Sequence, residues 1–270
     1  MQFTTATTAD LNKIQQLWTE IFGDTPQFAQ FAANICPPQE IYLVKEEDEI
    51  AAMVIAGIDL FAYGKKGFYI YGLATVPQHR NKGYAKQLME YVEKKKLSEG
   101  YDFILTQPAG ESLFDFYRNM GYNNIIFLRK AVIDIKRNLW ATADFDTVTS
   151  SRFKDIRSKF SEDEVVHFSK EGYEKFTEYV YTEGGSTAET QNAYCLYYED
   201  KDRLVVRDLF ADSTPYALQL LQAVRERTGK EKAEIQLSQN SPLFLGEGRL
   251  QPHCLVKNLD KELYANLMFD

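Results

Sequence analysis

The chain has 270 residues, 44% of them hydrophobic and 26% charged, and a net charge of −8. That length supports two domains of ordinary size, each with its own core, and the acidic balance speaks against a nucleic-acid-binding protein, whose footprint is a basic face. Cys36, Cys195 and Cys254 lie far apart with no C-x-x-C pair and no paired His spacing, which argues against a disulfide framework and against a metal site of the zinc type.

The opening residues "MQFTTATTADLNKIQQLW" lack the basic-then-apolar pattern of a secretory signal, and no apolar run reaches bilayer-spanning length. A soluble, cytoplasmic protein with no membrane partner is expected. "QFTTAT" reads as a short strand, and Thr7 or Thr8 can cap a helix whose apolar residues Leu11, Ile14, Leu17, Trp18 and Ile21 recur at helical spacing. Gly23 and Pro26 punctuate its end. "EIYLVKEEDEIAAMVIAGIDLFAY" reads as two strands joined by an acidic tight turn, and "GFYIYGLATV" as a third. Tyr84, Leu88, Tyr91 and Val92 mark one face of the next helix. "YDFILTQ" follows as a buried strand, "ESLFDFYRNM" as a short helix stopping at Gly121, and "YNNIIFLRKAVIDI" as strand-like sequence closing the half. The order β-α-α-β-β-β-α-β-α-β predicts an α/β fold of the α+β type with a mixed sheet.

Between Lys136 and Arg157 the apolar runs give way to Thr, Ser and Asp, placing a domain boundary near Ala141 to Ser151. The second half offers helical stretches from Arg152 to Val180, strands at "NAYCLYYED" and "DRLVVRDLF", a helix at "PYALQLLQAVRERTG", and strands at "AEIQLS" and "QPHCLVKNL". Hairpin, helix, strand, strand repeats the order of the first half and suggests a diverged internal duplication. "YTEGGSTAETQ" reads as an exposed connector or a lid.

The chemistry concentrates after the third strand. Pro77 stops the ladder, and "HRNKGYA" delivers a turn whose backbone N–H groups precede the first turn of a helix. Such a terminus attracts an anion. Arg80 and Lys82 add full charges to the positive end of the helix dipole, Gly83 permits close backbone approach, and Ala85 is too small to block it. A phosphate or pyrophosphate site is expected, with a solvated basic helix start as the plain alternative. Neither G-x-x-x-x-G-K-[ST] nor G-x-G-x-x-G is present, which sets aside P-loop and dinucleotide folds.

"LATVPQHRNKGYAKQLM" resembles the acyl-CoA-binding signature of the GNAT (Gcn5-related N-acetyltransferase) superfamily, P-x-x-R/Q-x-x-G-x-G/A between a strand and a helix. "LFDFYRNMGY" resembles that family's second motif, an aromatic residue and a tyrosine before a closing Gly-Tyr/Phe. The resemblance implies acetyl-CoA as co-substrate, with its pantetheine on backbone groups of Leu73 and Thr75. Its pyrophosphate would then lie on the backbone of Arg80, Asn81, Lys82, Gly83, Tyr84, Ala85 and Lys86. The resemblance further implies that the N–H of Leu73 or a neighbour polarises the thioester oxygen and that Tyr117 protonates the departing thiolate. A packing role for Tyr117 is the alternative in a chain with 17 tyrosines.

Several positions depart from the family pattern. Asn81 and Ala85 replace a commoner basic residue and a second glycine, and Gly110 stands where some members have Asn. Many relatives carry a carboxylate on the strand aligned with "FYIYGLATV", where this chain has Tyr69 and Tyr71. A base would then work through water relayed to Glu111, Asp115 or Asp59, each of which also reads as a surface carboxylate.

The second half has no R/Q-x-x-G-x-G/A after "DRLVVRDLF", and a pyrophosphate there would meet Asp208 and Asp212, which is unfavourable. Two tandem GNAT-like acyltransferase domains are therefore expected. The catalytic one covers residues 1–142, and a degenerate one covers 150–270 and completes the acceptor site, an arrangement resembling tandem GNAT proteins such as the Eis-like aminoglycoside acetyltransferases. The expected reaction moves acetyl from acetyl-CoA to a primary amine of a small molecule or peptide, without a metal; oligomeric state stays open. The rivals are a non-catalytic acyl-CoA sensor and an interaction protein.

Overall fold

In the computed structural model of the chain, which describes residues 1–160 and 163–269, local signals set the first elements. Strand β1 (Gln2–Thr5) leads into a capping box in which the Asp10 carboxylate accepts from the Thr7 N–H at 2.9 Å and its hydroxyl at 2.8 Å. Helix α1 (Leu11–Phe22) ends at Gly23, whose φ of +77° lets its N–H close the last turn onto Thr19. The Thr25 hydroxyl caps α2 (Pro26–Ala33). Strands β2 (Ile41–Glu46), β3 (Glu49–Ala62) and β4 (Lys65–Thr75) form an antiparallel meander, with Glu47 and Asp48 at positive φ in its first turn. Helix α3 (Tyr84–Ser98) then carries the chain back so that β5 (Phe103–Thr106) pairs parallel to β4. Helix α4 (Glu111–Arg118) and β6 (Asn124–Asp134) complete the order read from the sequence.

After β6 come α5 (Ser150–Phe160), a short strand β7 (His167–Phe168), α6 (Lys170–Thr182), β8 (Ser186–Thr190), β9 (Ala193–Asp200) and β10 (Arg203–Ala211). Helix α7 (Thr214–Thr228), β11 (Lys232–Ser238) and β12 (Arg249–Lys257) follow. The run "YTEGGSTAETQ" supplies β8 and is not a connector. Its residues Thr187 and Ala188 are buried and pair with Leu196 and Cys195 of β9, an inner surface that its polar composition conceals.

The chain divides into two compact units. The first holds residues 1–124 with 255–260; the second holds residues 125–254 with those from Lys261 onward. In the first unit the sheet runs β1-β2-β3-β4-β5, and the end of β12 covers the β5 edge through Leu255↔Thr106, Val256↔Leu105 and Lys257↔Ile104. In the second, the order is β8-β9-β10-β11 with β6 on the β11 edge, from Lys232↔Asp134 to Ser238↔Leu128. The strand read as the close of the first half therefore completes the second unit, and late residues fill the matching place in the first. An apolar strand satisfies either of two similar edges, and its sequence pattern does not say which it joins.

Each unit has its own core. In the first, Leu88, Met89 and Val92 of α3 are buried over β2 and β3, whose Leu43, Val54 and Ile55 are also inaccessible. In the second, Leu220, Leu221 and Val224 of α7 pack with Cys195, Leu204, Val206 and Ile235. Among the described residues no helix is long and apolar enough to cross a membrane.

A fragment of residues 1–142 leaves Ile104–Thr106 as an open edge and Glu93 without the Lys257 ammonium that stands 2.5 Å from it. Circular dichroism is expected to show that this fragment lacks the cooperative thermal unfolding of the full chain. A sharp melt of the fragment would show that residues 255–260 are dispensable to the first unit.

Candidate active site

The site begins with an interruption in β4. Strands β3 and β4 pair at Ile55↔Tyr71 and again at Met53↔Ala74, so Gly72 and Leu73 lie opposite the single residue Val54. Gly72 adopts φ +61°, and a Cβ there would lie 2.3 Å from the Trp18 ring, so both conformation and space require glycine. Trp18 packs on Tyr71 with ring centroids 5.1 Å apart and donates its indole N–H to Asp24 at 2.8 Å. On its other edge β4 pairs with β5 only as far as Ile70↔Thr106. Beyond that point Gly72 to Thr75, among the described residues, run on without a strand on that side.

After β4, Pro77–His79 forms a single 3₁₀ turn, Arg80 is extended, and Asn81 and Gly83 take φ of +62° and +78°. Helix α3 starts at Tyr84 without a side-chain cap. Among the described residues, the N–H groups from Asn81 through Lys86 have no protein acceptor; the first to bond back is Gln87, to the Gly83 carbonyl at 3.0 Å. The sequence-predicted loop residues are thus brought together as a row of open donors. Arg80 braces the row, its Nε donating to the Thr75 carbonyl at 3.3 Å.

A carboxylate that sequence reasoning missed sits beside this loop. Glu46, at the end of β2, accepts from the Tyr84 hydroxyl, while His79 Nδ1 lies 3.1 Å and Lys82 Nζ 4.0 Å from its other oxygen. The Tyr84 bond chiefly, then Lys82 and His79, hold the Glu46 carboxyl below its usual range, and the same bond raises the Tyr84 phenol. No motif signals Glu46, because the β2–β3 turn brings it to the loop from far upstream.

Tyr117 of α4 is 6% exposed, and its phenol lies beside Thr106, whose own hydroxyl donates to the Ile70 carbonyl at 3.2 Å. The phenol therefore reaches the point where β4 outruns β5. Burial pushes its pKa up and the Thr106 contact offsets part of that, so it holds its proton at neutral pH. Thr106 was also missed; its only sequence signal is a hydroxyl ending the apolar run "FILT". The carboxylates considered as bases are placed elsewhere. Asp59 accepts from the Tyr101 hydroxyl at 2.7 Å and lies 2.9 Å from Lys66, Asp115 pairs with Arg118 at 3.3 Å, and Glu111 is exposed at the start of α4.

Bulged strand, open loop, helix and buried tyrosine all fall within residues 9–122, the span that matches the sequence model of the acetyltransferase (GNAT) family. Over 94% of its length the chain is similar to a GCN5-related N-acetyltransferase from Kribbella flavida, covering 70% of that chain with a TM-score of 0.75 and 16% identity. It is similar to Eis1 from Mycobacterium abscessus over 95% of this chain and 73% of that one, with a TM-score of 0.71 and 10% identity. A tandem GNAT protein from the clavulanic acid biosynthesis pathway is matched over 94% of this chain and 97% of that one, with a TM-score of 0.58 and 9% identity. These likenesses show the fold. No curated protein sequence matches this one significantly.

The second unit repeats the strand plan of the first with different residues at the corresponding place. Its parallel β10–β11 ladder ends at Val206↔Ile235, and β10 is irregular between Val206 and Asp208, as β4 is at Gly72. Beyond lies a cavity of about 380 Å³ lined by residues including Phe210, Asp212, Ser238, Leu243 and Tyr264. Asp212 lines that cavity. Asp208 does not. It is fully buried, paired with Arg157 of α5 at 2.8 Å, and accepts from the Tyr264 hydroxyl at 3.2 Å. At the start of α7 the Thr214 hydroxyl accepts the Phe244 N–H at 3.0 Å.

Removing the Glu46 charge leaves Lys82 and His79 to the loop's own ligand. Glu46→Gln is expected to tighten acyl-CoA binding by about two- to fivefold at low salt, the scale of one exposed ion pair, and the gain should shrink as salt is added. Calorimetric titration at two ionic strengths checks this.

Proposed function

We propose that this protein is an N-acetyltransferase that moves an acetyl group from acetyl-CoA to a primary amine of a small molecule or peptide in the cytoplasm. The observation that carries the reading is the convergence, within the residues that match the GNAT family model, of the row of open N–H groups at Asn81–Lys86 with the Tyr117–Thr106 contact at the end of the β4–β5 ladder.

Acetyl-CoA would supply an activated thioester, and the residues present fit it. A pyrophosphate satisfies donors that have no acceptor in the protein, with the helix dipole of α3 and the charges of Arg80, Lys82 and Lys86 in support. Leu73 and Thr75 present peptide groups along the open edge of β4 for pantetheine, and the Leu73 N–H in the bulge is the donor for the thioester oxygen. Tyr117 holds a proton for the leaving sulfur. With Asp59 and Asp115 engaged in ion pairs, the amine gives up its proton to water.

Acetyl-CoA titrated into the wild type is expected to bind saturably, and binding should be lost in the Arg80→Ala, Gly83→Glu double variant. Tyr117→Phe should lower kcat by about 10²-fold or more with little change in the KM for acetyl-CoA. Because burial raises the Tyr117 pKa, the alkaline fall in kcat set by this acid should lie above the ordinary tyrosine value of 10.0. Binding without turnover over a broad amine panel would favour the sensor; no binding to the wild type would overturn the reading.

A further inference from the structure

We propose that Lys257 is a positioning residue for Tyr117, acting from the strand segment that the end of β12 lays along β5. This rests on the reading of Tyr117 as the acid. Glu93, a carboxylate on α3, is only 6% exposed and so requires partners. Its Oε1 accepts from the Tyr122 hydroxyl at 2.8 Å and its Oε2 from the Lys257 ammonium at 2.5 Å. The same ammonium donates to the Met120 carbonyl at 2.7 Å and lies 5.5 Å from the centroid of the Tyr122 ring.

Met120 and Tyr122 both donate their N–H groups to the Tyr117 carbonyl, at 2.9 and 3.2 Å. The Tyr122 ring, fully buried, stands edge-on to the Tyr117 ring with centroids 5.4 Å apart. Main chain and ring of Tyr117 are therefore both held by groups that Lys257 and Glu93 fix. The ammonium on Met120, two residues past the end of α4, also lies at the negative end of that helix. Between them, Gly121 at φ +90° brings its Cα against the lysine stem, where a Cβ would lie 3.4 Å from Lys257 Cε. The network ties the helix whose start faces the pyrophosphate to the helix that carries the acid. A shift of Tyr117 by a fraction of an ångström would change its reach to the sulfur without touching the loop at Asn81–Lys86.

The test uses the full chain and four variants: Lys257→Met, Lys257→Arg, Tyr117→Phe, and Lys257→Met with Tyr117→Phe. Lys257→Met is expected to lower kcat by between about 10-fold and about 100-fold, the cost of misplacing a reacting group, with the KM for acetyl-CoA within about twofold of wild type. Lys257→Arg should recover part of the loss. In the Tyr117→Phe background, Lys257→Met should cost nothing further, because the two act as one unit. Equal losses in both backgrounds would overturn the proposal in favour of a general structural role. A second readout needs no turnover: the ¹⁹F resonance of 3-fluorotyrosine placed at position 117 should shift in Lys257→Met, and an unmoved resonance would overturn the proposal. If Lys257→Met does not fold, Glu93→Gln, which keeps the side chain's shape, carries the same comparisons. Full activity of Tyr117→Phe would instead sink the acid reading, leaving the ¹⁹F result to judge the positioning.

Discussion

The site depends on a β-ladder that stops early. Strand β4 continues past its last pairing with β5 at Ile70↔Thr106, and its peptide groups from Gly72 onward face a gap. Left buried and unbonded, each such group would cost about 1–3 kcal/mol, so a sheet tolerates the gap only if its other edge is firmly held. Here the other edge is the long antiparallel meander of β2, β3 and β4, and the bulge itself is fixed by Trp18 filling the space that a side chain at position 72 would need. The open donors at Asn81–Lys86 extend the same logic past the strand, and the Thr106–Tyr117 contact seals the corner where the strands part.

Electrostatics at the loop is local. The chain as a whole is acidic, with a net charge of −8, which would oppose the approach of a multiply charged anion. At physiological ionic strength, however, exposed charges farther off than about 8 Å are largely screened. Arg80, Lys82, the α3 dipole and the opposing Glu46 are then the charges that decide. Glu46 offsets the positive charge of Lys82 while holding the loop through Tyr84 and His79, so that charge is traded for a defined loop conformation.

Much of this was legible in the sequence. The spacing of Arg80, Gly83 and Ala85 after a strand-ending proline marked a turn with open N–H groups at a helix start, because such a turn needs left-handed backbone and small residues at fixed positions. Alternation in "GFYIYGLATV" and helical spacing after Gly83 gave the elements around it. What stayed hidden depends on partners distant in the chain. Asp208 reads as an acidic residue at a strand end, and nothing nearby announces Arg157, which buries it as an ion pair. Glu46 and Thr106 look ordinary until the turn after β2 and the parallel ladder bring them to the site. The places of β6 and β12 were misread because each fits either unit's edge on pattern alone.

The closing of β5 by Leu255–Lys257 also bears on the order of events during synthesis. Lys257 meets Glu93 across a separation of 164 residues, which makes the first unit's last contact one of high contact order and slow to form. At about 5–20 residues per second, a ribosome needs on the order of 10 s to make residues 125–254 after the first 124 have emerged. For that interval the nascent N-terminal half is a sheet with one unsealed edge, a species for chaperones to guard. The geometry around Tyr117 then matures only once residues 255–260 have been made.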